Sequence, residues 1–314
     1  MSSALINLGT VFGPLFSNED LTKLAALTPG VQTFSKDDFL ITEGEVTRDL
    51  FIQLTGRTKV TKSSQPDLIL GELRPGFIYG EVTFFQGGER TANIRAIEET
   101  QTLSFTPDSF ETLSTRLQIK LLHNLLPRIT RRFKDLHQTV IELTQLEKEQ
   151  STRPYNGNPL SSYHLPESLL FSALFTAEES EVIYRMKPGR EHYQKGDRIF
   201  TQGPGDGSLF ILLKGTVTME KEETPGITLF TLGPGRLLGI SPVDGVNTRF
   251  VNVIANDDYV EGIRFSIQAF VSLPETIRIK MYKMMFFNII DRMKYQNIAI
   301  LKLEHMKQNV WFGG

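Results

Sequence analysis

Cysteine is absent from this 314-residue chain. That excludes a disulfide frame, a thiolate metal site and a cysteine nucleophile, and it fits a reducing compartment. An excess of charge is also missing: 34 Lys and Arg stand against 36 Asp and Glu, for a net charge of −2. No general electrostatic case for binding nucleic acid or an anionic membrane follows. No apolar run reaches spanning length, and the amino-terminal MSSALINLGTVFG has no basic stretch ahead of its apolar residues. A cytoplasmic protein without a membrane span is expected.

Catalytic constellations are lacking too. The five histidines (His123, His137, His164, His192 and His305) have no ligand spacing, so no metal is expected. There is no Ser/His/Asp set, no carboxylate pair in a cleft motif and no Walker-type loop. The expectation is no enzyme, no catalytic residue and no cofactor. Two glycine strings, Gly203-Pro-Gly205-Asp-Gly207 and Gly233-Pro-Gly235, read as turns, because strands flank them where a dinucleotide loop would open a helix. Thr130-Arg131-Arg132 reads as a solvated helix face, and the Met and Phe cluster at 281–293 as core rather than a soft binding face.

What the chain does have is a repeat. Shifted by 159 residues, it falls on itself. Leu15-Phe16 meets Leu174-Phe175, Pro29-Gly30 meets Pro188-Gly189, and Leu50-Phe51-Ile52 meets Leu209-Phe210-Ile211. Pro75 and Gly76 meet Pro234 and Gly235, Gly80 meets Gly239, and Arg90 meets Arg249. Beyond Ala96 and Ala255 the shift is 160, so Ile119-Lys120 meets Ile279-Lys280. A period of this size means a duplicated domain, not a solenoid.

Each copy opens with a helix whose start reads as a capping box, Ser17-x-x-Asp20 and Thr176-x-x-Glu179. Short strands punctuated by turns follow, which suggests a small sandwich or barrel. A helical tail closes each copy. In the first, Leu122, Leu125, Ile129, Phe133, Leu136, Val140 and Leu143 form an amphipathic stripe. Pro127 inside it is expected to kink or split the helix. The second tail runs from about Thr276 to Lys307. Domain 1 is placed at 12–150, a polar linker at 151–164 and domain 2 at 165–314.

The centre of the first copy is residues 76–96, GFIYGEVTFFQGGERTANIRA. Gly80 lets the main chain approach a ligand, since no Cβ intervenes. Glu81 can accept from a sugar hydroxyl, and Arg90 offers a planar fork of donors to a phosphate. The turn between them can aim several N–H groups at one anion.

Gly-Glu, an apolar turn and then Arg-Thr-Ala resemble the phosphate-binding cassette of cyclic-nucleotide-binding domains. That module occurs in protein kinase A regulatory subunits, cyclic-nucleotide-gated channels and bacterial catabolite-activator proteins. The resemblance implies an α+β, mainly β fold: two tandem eight-stranded β-rolls of jelly-roll type, each flanked by helices. It assigns the ribose 2′-OH to Glu81 and the cyclic phosphate to Arg90. The implied ligand set is Gly80, Glu81, Val82, Thr83, Arg90, Thr91 and Ala92. cAMP is favoured over cGMP on family grounds, although Thr91 also suits guanine.

The second cassette, 235–255, departs from this pattern at Gly239, Ile240, Pro242 and Arg249. Ile240 replaces the sugar-binding Glu81, and Pro242 removes an N–H that the resemblance assigns to the phosphate. Phe250 replaces Thr91 with a bulky ring. The expectation is that the first domain alone holds nucleotide by the usual mode. The reading is a cyclic-nucleotide sensor that signals through interdomain rearrangement to an unidentified protein effector. In this reading the tail at 117–149 shifts on nucleotide capture, and no output module is expected in the chain. The alternatives are a ligand-independent scaffold, a homodimer paired along the Leu122–Leu143 stripe, or a receptor for a cyclic dinucleotide.

Overall fold

The computed structural model describes residues 3–150, 175–185, 189–223, 228–240 and 247–312. The linker expected at 151–164 and the second-cassette residue Pro242 lie outside the described residues. The chain forms two compact units, Met1–Ile129 and Thr130–Gly314. They divide inside a helix, upstream of the boundary expected at residue 150.

The first unit starts with α1 (Ser3–Phe12), a tight turn at Gly13–Leu15, and α2 (Asn18–Ala25). The capping box forms as expected. Asp20 N donates to Ser17 Oγ at 3.2 Å, and Ser17 N donates to Asp20 Oδ2 at 3.0 Å. Asp20 also takes Lys120 Nζ at 2.5 Å, tying this cap to the later tail.

Eight strands follow: β1 (Pro29–Phe34), β2 (Phe39–Ile41), β3 (Leu50–Thr55), β4 (Thr58–Thr61), β5 (Gly71–Leu73), β6 (Ile78–Tyr79), β7 (Asn93–Ala96) and β8 (Thr100–Phe105). A short helix, α3 (Glu81–Gln86), interrupts them between β6 and β7. Then come α4 (Pro107–Glu111) and α5 (Thr115–Gln150). The strands make two antiparallel sheets, ordered β1-β8-β3-β6 and β2-β7-β4-β5. Residues of both sheets share one core: Leu40, Ile41, Phe51, Val60, Leu73, Tyr79, Ile94 and Ala96. Burial of this apolar surface, at about 25 cal/mol per Å², holds the sheets face to face. Phe51 and Tyr79 stack inside it, with ring centroids 5.4 Å apart. Phe84 of α3 packs edge-on against Phe105 of β8 and Phe110 of α4, which anchors the interrupting helix.

The second unit repeats this plan. Its strands are β9 (Gly189–Tyr193), β10 (Arg198–Phe200), β11 (Gly203–Pro204), β12 (Ser208–Lys214), β13 (Val217–Glu220), β14 (Thr228–Leu232), β15 (Leu237–Leu238), β16 (Thr248–Arg249), β17 (Asn252–Ala255) and β18 (Val260–Ser266). Helix α6 (Ala177–Arg185) precedes them, and α7 (Ile267–Ser272) and α8 (Glu275–Phe312) follow. The sheets run β9-β18-β12-β15 and β10-β17-β13-β14, the same orders strand for strand, with β11–β16 added as a separate pair. The Thr176–Glu179 capping box forms as well, and Glu179 takes Lys280 Nζ at 2.6 Å. The cap-to-tail ion pair is therefore duplicated along with the fold.

Helix α5 runs through Pro127 as one element, so the expected split does not occur. Proline costs a helix interior ~3 kcal/mol. Leu122, Leu125, Leu126 and Ile129, all within a turn of it or so, are essentially fully buried and outweigh that cost. From Thr130 onward the same helix belongs to the second unit. Phe133 lies 6.3 Å from Phe230, ring to ring, and His137 Nδ1 is 3.1 Å from Gln296 Nε2. The Met and Phe cluster of α8 is core, with Met281, Met285 and Phe286 fully buried. Among the described residues no helix is long and apolar enough to cross a membrane.

Candidate functional site

In the first unit, β6 delivers the chain to Gly80, which caps α3 with φ +79°. A Cβ built there would lie 2.5 Å from the Asp49 carbonyl oxygen and 2.8 Å from Arg90 Nη1. Glycine is required twice over, by conformation and by space. The first intrahelical bond of α3 runs from Phe84 N to Gly80 O at 3.1 Å. The amides of Glu81, Val82 and Thr83 thus form its amino-terminal turn, where N–H groups have no intrahelical acceptor.

Arg90 is 3% exposed. Its Nε donates to Thr47 Oγ1 at 2.8 Å, and Nη2 donates to the Asp49 carbonyl at 2.9 Å. Nη1 donates to Thr83 Oγ1 at 2.5 Å and to Gly80 O at 3.2 Å. The Asp49 carboxylate stands 3.9 Å from Nη2. Burial pulls the guanidinium below its ordinary pKa, while the carboxylates of Asp49, Glu81 and Glu45 act in the opposite sense. Glu81 is also 3% exposed. The two residues read as the sugar and phosphate contacts are therefore buried within electrostatic reach of one another.

The rest of the set is mixed. Thr83 is buried against Arg90 and Val82 is half-buried. Thr91 is exposed, with its carbonyl taken by Lys62 Nζ, and Ala92 packs against the roll core. Lys62 is held in turn by Glu43 at 2.9 Å.

Three important residues were not found from the sequence. Thr47 and Asp49 fix the plane of Arg90 from the segment just ahead of β3. Arg128 of α5 donates from Nη1 to Gly76 O at 2.7 Å and from Nη2 to Val11 O at 2.6 Å. It thereby joins the tail to the first residue of the cassette. The polar pair just ahead of the buried Leu50-Phe51 run was the available signal for the first two.

The second unit brings Gly239, Ile240 and Arg249 together. Gly239 has φ +75°, and a Cβ there would lie 2.6 Å from Arg249 Nη1. Arg249 is 5% exposed. Its Nη2 donates to the Asp206 carboxylate and to Ser208 O, the latter at 2.6 Å. The guanidinium lies 3.9 Å from the Phe200 ring centroid. Among the described residues its Nε and Nη1 have no acceptor. Burial acts to raise the Asp206 carboxyl, yet hydrogen bonds from Ser208 and Arg249 hold it down at about 2. Ile240, at the position of Glu81, is 9% exposed and offers no acceptor side chain. Lys134 Nζ of α5 lies 3.5 Å from the centroid of Phe250.

The cyclic nucleotide-binding domain family matches the chain twice, over residues 31–116 and 190–276, more than half its length. The chain belongs to that family as a tandem of two such domains. It is similar to a cGMP-dependent protein kinase of Drosophila melanogaster (isozyme 2), with 22% identity over 258 residues, covering 81% of this chain and 20% of the kinase. It is also similar to the cyclic AMP receptor protein of Thermus thermophilus, with 28% identity over 111 residues, 35% of this chain and 50% of the receptor. The chain thus spans about a fifth of the length of that kinase. Among solved structures, the regulatory domain of Toxoplasma gondii PKA with cAMP aligns over 88% of this chain and 92% of that one, at 16% identity and a TM-score of 0.30. Among the described residues no group of three or more His, Asp or Glu side chains could hold a metal ion.

Proposed function

We propose that this chain is a non-catalytic cyclic-nucleotide sensor whose first unit alone holds the nucleotide by the family's usual mode. The observation that carries this reading is the buried Glu81 and Arg90 in one cassette, against Ile240 and an acid-paired Arg249 in the other. The ligand set is Gly80, Glu81, Val82, Thr83, Arg90, Thr91 and Ala92, with Glu81 accepting from the sugar and Arg90 donating to the phosphate. The relative from T. thermophilus is a cyclic AMP receptor by name, and the kinase is cGMP-dependent by name. The choice of cAMP over cGMP follows the family expectation.

Arg90 also indicates how capture becomes a signal. Its Nη1 now holds Thr83 Oγ1 and Gly80 O, both at the start of α3. A phosphate that takes Nη1 competes with those acceptors, so binding and movement of α3 become one event. Phe84 passes that movement to α4, and Arg128 links the cassette to α5. The ligand can shift this equilibrium only by its difference in affinity for the two arrangements. A protein effector would read the result. The stripe offered for homodimer pairing is covered by the chain's own residues: Val140 and Leu143 are under a tenth exposed. That speaks against the dimer and for internal use of the helix.

Titration calorimetry of the full chain with cAMP and cGMP side by side tests the reading. One saturable site per chain, tighter for cAMP, is expected. Two equivalent sites would overturn the asymmetry, and no binding of either nucleotide would overturn the function.

A further inference from the structure

The second unit contains a cavity of ≈ 120 Å³ at its altered cassette. Its walls are largely rings and aliphatic chains, with Phe133, Phe200, Phe230 and Phe250 among them. Two buried guanidiniums, Arg249 and Arg292, also line it. Among the described residues Arg249 Nε and Nη1 have no acceptor, and Arg292, 6% exposed, leaves Nε and Nη2 likewise unsatisfied. Buried donors without acceptors cost free energy. Burial lowers Arg292 to about 9, so it is still charged at neutral pH. No carboxylate is among the described lining residues. An acceptor-bearing anion from outside the chain would satisfy these donors.

Three features narrow its class. Arg249 is already paired with Asp206 and Asp291 acts on Arg292, yet Lys134 and Lys221 also line the cavity, so its surplus charge is positive and favours an anion. The aromatic walls require an apolar body. Cavities of roughly 150 Å³ take one benzene-sized molecule, so the space between the rings suits a body of about one ring. Ile240 further deprives a sugar of its acceptor. We propose that this cavity binds a small organic monocarboxylate with one apolar body, its oxygens accepting from Arg249 and Arg292. The second unit has exchanged a nucleotide site for a different ligand site. Helix α5 contributes Phe133 to the wall, so the occupant would touch the tail that leaves the first cassette.

Titration of the full chain with benzoate, with the neutral isostere benzamide and with inorganic phosphate tests this directly. Benzoate is expected to saturate one site per chain, with benzamide and phosphate each at least tenfold weaker. Arg249→Met and Arg292→Met should each weaken benzoate at least tenfold. The three-ligand comparison on the unaltered chain stands even if a variant fails to fold. Equal affinity for benzamide would show that the guanidiniums serve no ligand. Phosphate as tight as benzoate would mean a simple inorganic anion site. Displacement of benzoate by cAMP would return the cavity to the nucleotide, and absence of saturable binding would leave it to water. Any of these overturns the proposal, and none depends on whether the first unit binds cAMP.

Discussion

Arg90 and Arg249 occupy the same place in two copies of one fold and meet different company. Arg90 makes its four hydrogen bonds to neutral oxygens, of Thr47, Asp49, Gly80 and Thr83. Arg249 is neutralised by Asp206, which stands at the repeat position of Thr47, and has two nitrogens to spare. The acid that faces the cassette has thus moved from Glu81 to the loop before β12. A second exchange runs the same way. In the first unit the tail supplies Arg128 to the cassette carbonyl of Gly76. In the second the cassette supplies Arg236, at the position of Phe77, to Asn288 and Asp291 of the tail at 3.1 and 2.8 Å. Duplication preserved the need for a cation at the cassette–tail junction but not the side it comes from.

The largest test of this contrast is truncation of the two arginines. Arg90→Ala should weaken nucleotide binding at least about 30-fold, since removing one partner of a buried charged hydrogen-bond set costs ~2 kcal/mol or more. Arg249→Ala should leave nucleotide affinity where it was. Calorimetry giving equal losses for both would erase the distinction.

A stability difference comes next. His137 is 6% exposed, and burial, helped by Lys221 and Arg292, lowers it to about 4. The fold favours the neutral ring, so the unfolded chain takes up the proton first as pH falls. Stability is complete above pH 6.5 and is lost between 6.5 and about 4, by ~3 kcal/mol. Urea denaturation of the second unit at pH 7 and pH 4.5 should show this, and His137→Gln should flatten it.

The junction arginines can be ranked too. Arg236→Ala removes the ion pair to Asp291 and should cost about 3 kcal/mol, the low end for a buried pair because Asp291 is 19% exposed. Arg128→Ala loses bonds to carbonyls and should cost about 1–2 kcal/mol. Thermal melts of the two variants that reversed this order would show that the exchange was not one of function. The smallest effect belongs to Asp206. Its folded pKa of about 2 lies below the ordinary 3.8. Its contribution is present above pH 3.8 and is lost as pH falls through about 2. At 52% exposure, solvent screening holds it to roughly 0.5 kcal/mol. Asp206→Asn should remove that acid-limb loss.

The sequence made one part of this legible and hid another. Gly80 and Arg90 were readable because backbone geometry and phosphate chemistry each demand a particular residue type. The repeat then set Ile240 opposite Glu81 without any structure. Thr47 and Asp49 were hidden because they reach Arg90 from 43 and 41 positions away, through a fold that brings β3 beside the cassette. Arg128 was hidden for the same reason, 52 positions from Gly76. The ion pairs Lys120–Asp20 and Lys280–Glu179 lay within reach, since both partners recur at the repeat spacing. Pro127 misled, because its local penalty is visible in sequence and the burial that overrides it is not.

Helix α5 has a practical consequence. A fragment begun at the polar stretch after residue 150 would shed Phe133 and His137 from around Phe230 and Gln296. Such a piece would carry a torn core into solution and should aggregate. Excision near residue 130 keeps that wall in place, so the second half of the protein owns a segment that the primary structure would have given to the first.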